Sequence, residues 1–310
     1  MAENTKIEWA HHTFNPWIGC TKVGPGCDNC YAADLSKARL GVPWGPGEPR
    51  RHTAASTWKQ PRAWNNRAAR LGIRYRVFCA SLADVFDNEV PAEWRAELFQ
   101  LIRETPHLDW LLVTKRIGNV AKMAESAGGL PENVWLGATI VSQLEADRDI
   151  PKLLAVKGPH FRFLSMEPLL GPVDLRTLST LQFRNAEVLD ALSGQLSGMF
   201  GDYCPTRLPA LDWIIVGGES GPNARPMHPD WARDIRDQCA AAGVPFLFKQ
   251  WGEWFPYGGI DADGHQNSRD LGERPGKWHV WGDGEGSASR IGKKQAGRLL
   301  DGVHHDGVPA

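Results

Sequence analysis

The sequence predicts an α/β fold built on a partial or open parallel barrel of six or seven βα units. Two observations support this fold class. Short runs of β-branched and aromatic residues recur along the 310 residues, and a helical stretch follows each run. The runs are continuous and apolar instead of alternating, which is typical of parallel strands buried on both faces. Regular alternation of strand and helix then favours a parallel sheet, open or closed.

The predicted strands are spaced so that a helix fits between them. The first strand lies near Thr13–Ile18 and precedes a cysteine-rich loop. The other strands are Tyr75–Ala80, Asp109–Thr114, Val134–Ile140, Phe161–Ser165, Trp213–Val216 and Pro245–Phe248. Two of the stretches between them, Pro91–Glu104 and His228–Ala242, have helical spacing and proline or acidic residues near their starts.

Two segments interrupt this alternation. Residues 177–210 have no clear period and are predicted to be an insertion, and residues 255–290 are rich in Gly and Asp and are predicted to be loop. A short basic helix or turn is expected over Ile291–Gly302. The predicted organisation is therefore a barrel over residues 1–254, carrying the insertion, and a loop-rich C-terminal extension over residues 255–310 that packs on the barrel.

Composition excludes several classes of protein. The chain is 42% hydrophobic and 23% charged, as an ordinary globular protein is. Apolar runs stay shorter than the roughly 18 residues that a membrane span needs. The N-terminus lacks the apolar core of a secretion signal, so a cytoplasmic location is expected. Six cysteines in 310 residues do not make a disulfide scaffold.

Three of the cysteines, Cys20, Cys27 and Cys30, lie within eleven residues on a loop rich in Gly and Pro. Three thiolates at this spacing can converge on one inorganic group. A closed zinc site takes four ligands, whereas an iron–sulfur cluster on three thiolates leaves one iron open to a ligand. Zinc stays an alternative if His11 or His12 supplies a fourth ligand.

Polar residues follow almost every predicted strand. Active sites of parallel βα barrels lie at the C-terminal ends of the strands, and the cysteine loop follows the first strand. The strand-end residues are Ser81, Asp84, Thr114, Lys115, Arg116, Thr139, Ser142, Glu167, Glu219, Ser220, Lys249, Gln250 and Trp251. Together they predict a site for a zwitterionic, ribose-bearing cofactor and a polar substrate. The glycines before Glu219 allow close approach of a ligand, or alternatively a tight turn after a buried strand.

The net charge of −1 hides a basic stretch over residues 37–76. Ten basic residues lie there against one acidic residue, Glu48. Cations interleaved with aromatic residues suit a phosphate backbone and unstacked bases. The aromatic residues are Trp44, Trp58 and Trp64, and the candidate nucleic-acid contacts are Arg50, Arg51, Arg62, Arg67 and Arg70. The alternative is a solvated helix face whose tryptophans point into the core.

As a set, these motifs resemble the radical S-adenosylmethionine (SAM) superfamily, and more closely the phage Gp37/Gp68-like (DUF5131-like) proteins with a three-cysteine motif. The stretches that carry the resemblance are Ile7–Trp9, Asn15–Cys20, Gly26–Ala32, Ser81–Phe86, Leu112–Arg116, Asn133–Gly137, Phe163–Leu169, Val216–Gly221, Phe248–Gly252 and Gly292–Gly302. Six and two residues separate the cysteines here, where most of the superfamily has three and two. The aromatic residue, Tyr31, follows the last cysteine instead of preceding it.

The resemblance implies a barrel of radical SAM type with a [4Fe–4S] cluster on the three cysteines. The open iron would chelate S-adenosyl-L-methionine, and an external electron donor would drive its cleavage to a 5′-deoxyadenosyl radical. Cofactor contacts are then expected from Ser81 and Asp84 on the amine side, and from Glu219 at the ribose or the substrate. The remaining expected cofactor contacts are Thr114, Lys115, Thr139 and Glu167.

The resemblance and the basic stretch together predict a nucleic-acid substrate. A base in DNA, above all a modified thymine in phage DNA, would be isomerised or otherwise modified, in the host cytoplasm. The base must be single-stranded or flipped out of the duplex to reach the radical. Two alternatives stay open: a zinc-stapled nucleic-acid-binding or partner protein, and the same radical chemistry on a free nucleotide or a protein.

Overall fold

A computed structural model describes residues 2–180, 187–198, 203–259, 261–265, 277–282 and 286–310. It has an α/β fold with seven parallel strands in the main sheet, which confirms the predicted partial barrel. The chain divides into two compact units. Unit 1 consists of Met1–Thr139 and Lys152–Phe163, and unit 2 consists of Ile140–Pro151 and Leu164–Ala310.

Unit 1 contains the first part of the main sheet. Its strands are β1 (Ala2–Glu3), β2 (His12–Phe14), β3 (Trp17–Ile18), β4 (Arg51–His52), β5 (Tyr75–Cys79), β6 (Leu108–Thr114) and β7 (Val134–Thr139), and it shares β8 (Phe161–Met166) with unit 2. The sheet order is β1-β2-β5-β6-β7-β8, with β2, β5, β6 and β7 paired in parallel. Nearly every residue of β6 and β7 is buried, which explains why these strands have continuous apolar sequences.

The predicted first strand is wrong in one respect, because the chain breaks it at Pro16. Proline has no N–H to donate to a sheet, so β2 ends before it. The next strand, β3, leaves the main sheet and pairs antiparallel with β4, with Trp17 opposite His52. The turn is fixed by the Thr53 hydroxyl, which donates to the carbonyl oxygens of Asn15 and Pro16 at 2.9 and 2.8 Å.

Four α-helices belong to unit 1: α1 (Tyr31–Leu35), α2 (Ala55–Leu71), α3 (Ala92–Arg103) and α4 (Val120–Ser126). Short helical turns also occur at Pro25–Cys27, Ser36–Leu40 and Ile117–Asn119. Helix α2 packs on β5 and β6 and buries Trp58 and Trp64. These two tryptophans therefore lie in the core, as the alternative interpretation of the basic stretch expects.

Unit 2 completes the main sheet in the order β8-β13-β14. The bounds are β13 (Trp213–Gly217) and β14 (Phe246–Gln250), and the two strands pair in parallel. The remaining helices are α5 (Gln143–Ala155), which has residues in both units, α6 (Pro229–Ala242) and α7 (Lys293–Ala296). The last of these confirms the predicted short basic helix. Among the described helices, none combines the length and the apolar character that crossing a membrane requires.

Two smaller sheets of unit 2 occupy segments for which the sequence predicts no strands. Within residues 177–210, β9 (Leu178–Thr180), β10 (Glu187–Asp190), β11 (Gln195–Gly198) and β12 (Tyr203–Arg207) form an antiparallel sheet in the order β12-β11-β10-β9. The loop prediction for residues 255–290 is wrong where β15 (Trp254–Pro256), β16 (Trp278–Val280) and β17 (Ser287–Arg290) form a three-stranded sheet. Strands of three to five residues are too short to show a period. Residues 260, 266–276 and 283–285 of that predicted loop lie outside the described residues.

Candidate active site

The loop that carries the three cysteines starts beside the segment that follows β5. The backbone N–H of Gly19 donates to the Leu82 carbonyl at 3.1 Å. Gly19 has φ +113°, a conformation that favours glycine, and a Cβ there would lie 3.1 Å from Cδ of Arg50. Cys20, the next residue, is thereby fixed near the C-terminal end of β5.

The other two cysteines are placed by short helical turns. Cys27 ends the turn Pro25–Cys27, and its N–H donates to the Gly24 carbonyl at 2.9 Å. Cys30 precedes α1, and its carbonyl accepts the N–H groups of Ala33 and Asp34. The side chains of Cys20 and Cys27 are buried, whereas Cys30 is partly exposed. The arrangement leaves one side of the loop accessible from solvent.

The three cysteine sulfurs do not form a compact group of ligand atoms. Tetrahedral zinc with bonds of about 2.3 Å brings its sulfur ligands to about 3.8 Å from one another. In the described part of the chain, the one group of three ligand atoms mutually within 4.8 Å is Asp261, Asp263 and His265. The three sulfurs are therefore not all within 4.8 Å of one another. Three thiolates suit a multi-iron cluster, in which each thiolate binds a different iron.

The two histidines considered as a fourth zinc ligand have other partners. Nδ1 of His12 accepts the Asn4 N–H at 3.3 Å, and its ring stacks on Trp64 at 4.4 Å. Burial lowers the pKa of His12 to about 4. Nδ1 of His11 accepts the Arg76 N–H at 2.8 Å. The contacts of neither histidine bring it to the cysteines.

Arg116 lies against the first cysteine. Its Nη1 donates to the Cys20 sulfur at 3.4 Å, and its Nη2 donates to the Thr21 carbonyl at 2.7 Å. Burial raises the pKa of the Cys20 thiol to about 11, the Asp84 carboxylate adds to this rise, and the Arg116 cation opposes it. A metal that binds this sulfur therefore displaces a proton from it.

Asp84 is the hub of the turn that follows β6. One carboxylate oxygen accepts the Thr114 hydroxyl at 2.8 Å and the Phe86 N–H at 2.9 Å. The other oxygen accepts the Lys115 N–H and Nη1 of Arg116, both at 3.1 Å. A carboxylate has about four acceptor sites, so the chain's own donors fill those of Asp84. Asp84 and Thr114 therefore hold the turn in place through hydrogen bonds within the chain, and this is not the arrangement of a ligand contact.

Three further predicted residues lie at strand ends of unit 1. The Ser81 hydroxyl bonds to the Asn15 side chain at 3.0 Å, and the Ser81 carbonyl accepts the Tyr31 hydroxyl at 3.1 Å. The Lys115 ammonium donates to the Thr139 hydroxyl at 3.2 Å, which links the ends of β6 and β7. An ammonium has three donors, so this pair can also bind an anionic group.

A second buried arginine supports the cysteine loop. The Arg50 side chain is 1% exposed and pairs with Asp87 at 2.8 Å and Glu89 at 2.6 Å. Its Nη2 also donates to the Thr21 hydroxyl at 2.7 Å. Arg50 therefore lies in the interior, not on a surface that nucleic acid could reach. Counting charges along the sequence missed this role, because Asp87 is 37 residues away.

The other four predicted nucleic-acid contacts are exposed. Arg62 and Arg67 lie on the outer face of α2 and pair with the exposed carboxylates of Glu104 and Glu3. Arg70 lies in the last turn of the same helix, and Nη1 of Arg51 donates to the Leu40 carbonyl at 2.9 Å. These four arginines therefore differ from Arg50, because they are exposed and Arg50 is buried.

In unit 2, Glu167 lies over the end of β13. The Lys249 ammonium is 2.9 Å from Oε1 of Glu167, and the Ser165 hydroxyl is 3.4 Å from Oε2. A Cβ at Gly217 would lie 2.7 Å from the same Oε1, so glycine makes room for this carboxylate. The strand ends of unit 2 thus carry a close carboxylate–ammonium pair.

Glu219 is buried and held by Arg225. The guanidinium donates to both carboxylate oxygens, at 2.7 and 2.9 Å, and the Arg225 N–H adds a third bond at 2.8 Å. A Cβ at Gly218 would lie 1.8 Å from the Trp251 carbonyl oxygen, and one at Gly252 would lie 2.1 Å from that of Glu219. The glycines therefore let two backbone turns pack together, which supports the tight-turn alternative.

A family model described as "Protein of unknown function (DUF5131)" matches residues 4–309. The chain belongs to this family. A search of curated proteins gave no match for this DUF5131 member.

The chain is similar to solved structures that include three mutants of spore photoproduct lyase. A Cys-to-Ser mutant gives a TM-score of 0.42 at 12% identity and covers 94% of this chain and 71% of that chain. A double mutant with bound AdoMet and dinucleoside spore photoproduct gives 0.42 at 12% identity, covering 91% and 69%. A Tyr-to-Phe mutant gives 0.40 at 13% identity, covering 94% and 71%. At this level of similarity, what those proteins bind is a property of those proteins.

Proposed function

We propose that this protein is a radical SAM enzyme whose [4Fe–4S] cluster is bound by Cys20, Cys27 and Cys30. The observation that carries this proposal is the thiol triad itself: two buried thiols and one partly exposed thiol on a loop fixed beside the end of β5. Three soft thiol donors on one loop fit an iron–sulfur cluster. When bound, such a cluster supplies the electron that cleaves S-adenosyl-L-methionine to a 5′-deoxyadenosyl radical.

In this proposal, the chain's own residues bind and orient the cofactor. The Lys115–Thr139 pair is the proposed contact for an anionic group of the cofactor, because it combines a cation with a hydroxyl at strand ends. Asp84, Thr114 and the Ser81 hydroxyl have internal partners, so their proposed role is to hold the turns on which Lys115 and the cysteines lie.

The two predicted cofactor contacts of unit 2, Glu167 and Glu219, are assigned different roles. Glu167 and its partner Lys249 stay a predicted polar contact, because both offer charge at the strand ends. Glu219 is assigned instead to holding residues 219–225, since Arg225 already gives its carboxylate three hydrogen bonds.

The proposed substrate is a base in DNA, which the enzyme isomerises or otherwise modifies, and a modified thymine in phage DNA is the specific candidate. Four exposed arginines on unit 1 support DNA contact: Arg51, Arg62, Arg67 and Arg70. The ion pairs of Arg62 and Arg67 are exposed, and such pairs contribute only about 0–1 kcal/mol, so phosphates can replace their carboxylates. The proposed set leaves out Arg50, which is buried.

The DNA assignment is tested with a charge-reversal triple, Arg62→Glu, Arg67→Glu and Arg70→Glu. A matched control makes the same charge change at exposed residues elsewhere, namely Lys122→Glu, Lys157→Glu and Lys277→Glu. Each lost phosphate contact reduces the slope of log K against log salt by about 0.9. We expect the arginine triple to bind DNA at least tenfold more weakly with a shallower salt slope, and the lysine triple to bind like wild type.

Equal DNA affinity in the two triples would refute the assignment of these arginines. Iron content is measured in both triples, because a DNA-contact role predicts that it stays unchanged. The substrate class is tested separately by following 5′-deoxyadenosine production. Production that rises when DNA is added supports a DNA base as substrate, whereas production that rises only with free nucleotide or with protein would contradict it.

A further inference from the structure

We propose that Arg116 is a positioning residue that orients the Cys20 sulfur and raises the reduction potential of the cluster bound to it. This inference rests on the proposed function, because it requires an iron–sulfur cluster on the three cysteines. It assigns a role to a residue outside the ligand set, on the turn between β6 and α4.

The contacts of Arg116 show a two-point grip on the cysteine loop. Nη1 donates to the sulfur of Cys20 at 3.4 Å, and Nη2 donates to the carbonyl of Thr21 at 2.7 Å. The side chain is only 7% exposed, so solvent does not compete for these donors. A planar guanidinium can make both contacts at once, whereas the ammonium of lysine is a single point of charge.

Buried charges hold the guanidinium in this orientation. Arg116 lies 3.1 Å from Asp84 and 3.7 Å from Asp87. Asp87 also pairs with Arg50 at 2.8 Å, and Arg50 donates to the Thr21 hydroxyl at 2.7 Å. Thr21, the residue next to Cys20, therefore accepts hydrogen bonds from both Arg50 and Arg116. Both arginines also pair with the Asp87 carboxylate.

Only one of these two arginines bonds to sulfur among the described contacts. Arg116 donates to Cys20, whereas Arg50 contacts oxygens of Thr21, Gly45, Glu48, Asp87 and Glu89. Reduction adds negative charge to a cluster and its ligands, so a cation that donates to a ligand sulfur stabilises the reduced form. Arg116 is thus placed to raise the potential, and Arg50 is placed to support the loop.

The difference between the two arginines gives a matched test. Reconstituted wild-type protein, Arg116→Gln, Arg116→Lys and Arg50→Gln are compared by redox titration followed by electron paramagnetic resonance, together with iron content and thermal stability. We expect Arg116→Gln to shift the potential to more negative values. Arg116→Lys is expected to shift it less, because the charge is kept and the two-point grip is lost. Arg50→Gln is expected to lower stability and leave the potential at the wild-type value.

The outcomes separate this inference from the proposed function. Wild-type protein that binds no iron would contradict the proposed function and the inference with it. Suppose that the wild-type protein binds its cluster. If both Arg116 variants then have the wild-type reduction potential, or if Arg50→Gln shifts the potential as much as Arg116→Gln does, the inference alone is overturned. If Arg116→Gln does not fold, Arg116→Lys still decides the question, because its potential must lie below that of wild type.

Discussion

Gly218→Ala is expected to destabilise the protein strongly, because no space exists for a side chain at this position. A Cβ there would lie 1.8 Å from the Trp251 carbonyl oxygen, and real Cβ atoms keep at least 3.0 Å, so backbone must move by about 1.2 Å. That movement also strains the bond from the Gly218 N–H to the Gln250 carbonyl, which measures 2.9 Å. Overpacking costs about 1–3 kcal/mol, and a clash between two backbone segments belongs at the upper end.

We therefore expect Gly218→Ala to lower the free energy of unfolding by about 3 kcal/mol. With an unfolding entropy of about 2.1 cal/mol/K per residue, this corresponds to a Tm lower by about 5 °C in a chain of this length. Gly171→Ala is the matched control, since a Cβ there meets nothing within 4 Å in the same unit. The assay is denaturant and thermal unfolding followed by tryptophan fluorescence. A Gly218→Ala protein as stable as Gly171→Ala would refute the backbone-packing account of this motif.

Three other substitutions test separate parts of unit 1. Gly137→Ala places a Cβ 2.5 Å from the Phe163 ring, so we expect the free energy of unfolding to fall by about 2 kcal/mol. Phe163→Leu should restore part of this loss in the double mutant, and strictly additive effects of the two substitutions would contradict the account. The pKa of His12, lowered by burial to about 4, means that below pH 6.5 the unfolded chain gains a proton that the folded chain does not. The free energy of unfolding should then fall from pH 6.5 to 4 by up to about 1.4 kcal/mol per unit, and an equal slope in His12→Phe would refute this origin. Arg50→Met leaves the buried Asp87 without its closest cation and should cost about 3 kcal/mol in chemical unfolding; a cost below about 1 kcal/mol would show that the pair is not structural.

The main sheet was predictable because its strands are buried on both faces. Continuous apolar runs such as Trp110–Leu112 are typical of parallel strands whose two faces are covered. The observed bounds of β5 to β8 lie within one residue of those predicted. The break at Pro16 was readable in principle from the missing N–H. The sheets of β9–β12 and β15–β17 were not, because strands of three to five residues give too few positions for a period to emerge.

The site was predictable only where its members are close in sequence. The three cysteines share one loop, so their spacing carries the information. The partners of Asp84 and Arg50 are different, because each pairing is decided by folding. Arg50 meets Asp87 from 37 residues away, and Asp84 meets Thr114 from 30 residues away. A count of charges predicts exposed cations, and only the packed structure shows which of them are buried against carboxylates.

The central claim, a [4Fe–4S] cluster on three cysteines, is tested most directly by iron and sulfide quantitation after anaerobic purification. Wild-type protein is compared with Cys27→Ala and with the control Cys239→Ala, whose cysteine is buried in α6 of unit 2. We expect about four irons and four sulfides per chain in wild type and in the control, and far less in Cys27→Ala. One zinc per chain with no iron in the wild-type protein would contradict the account.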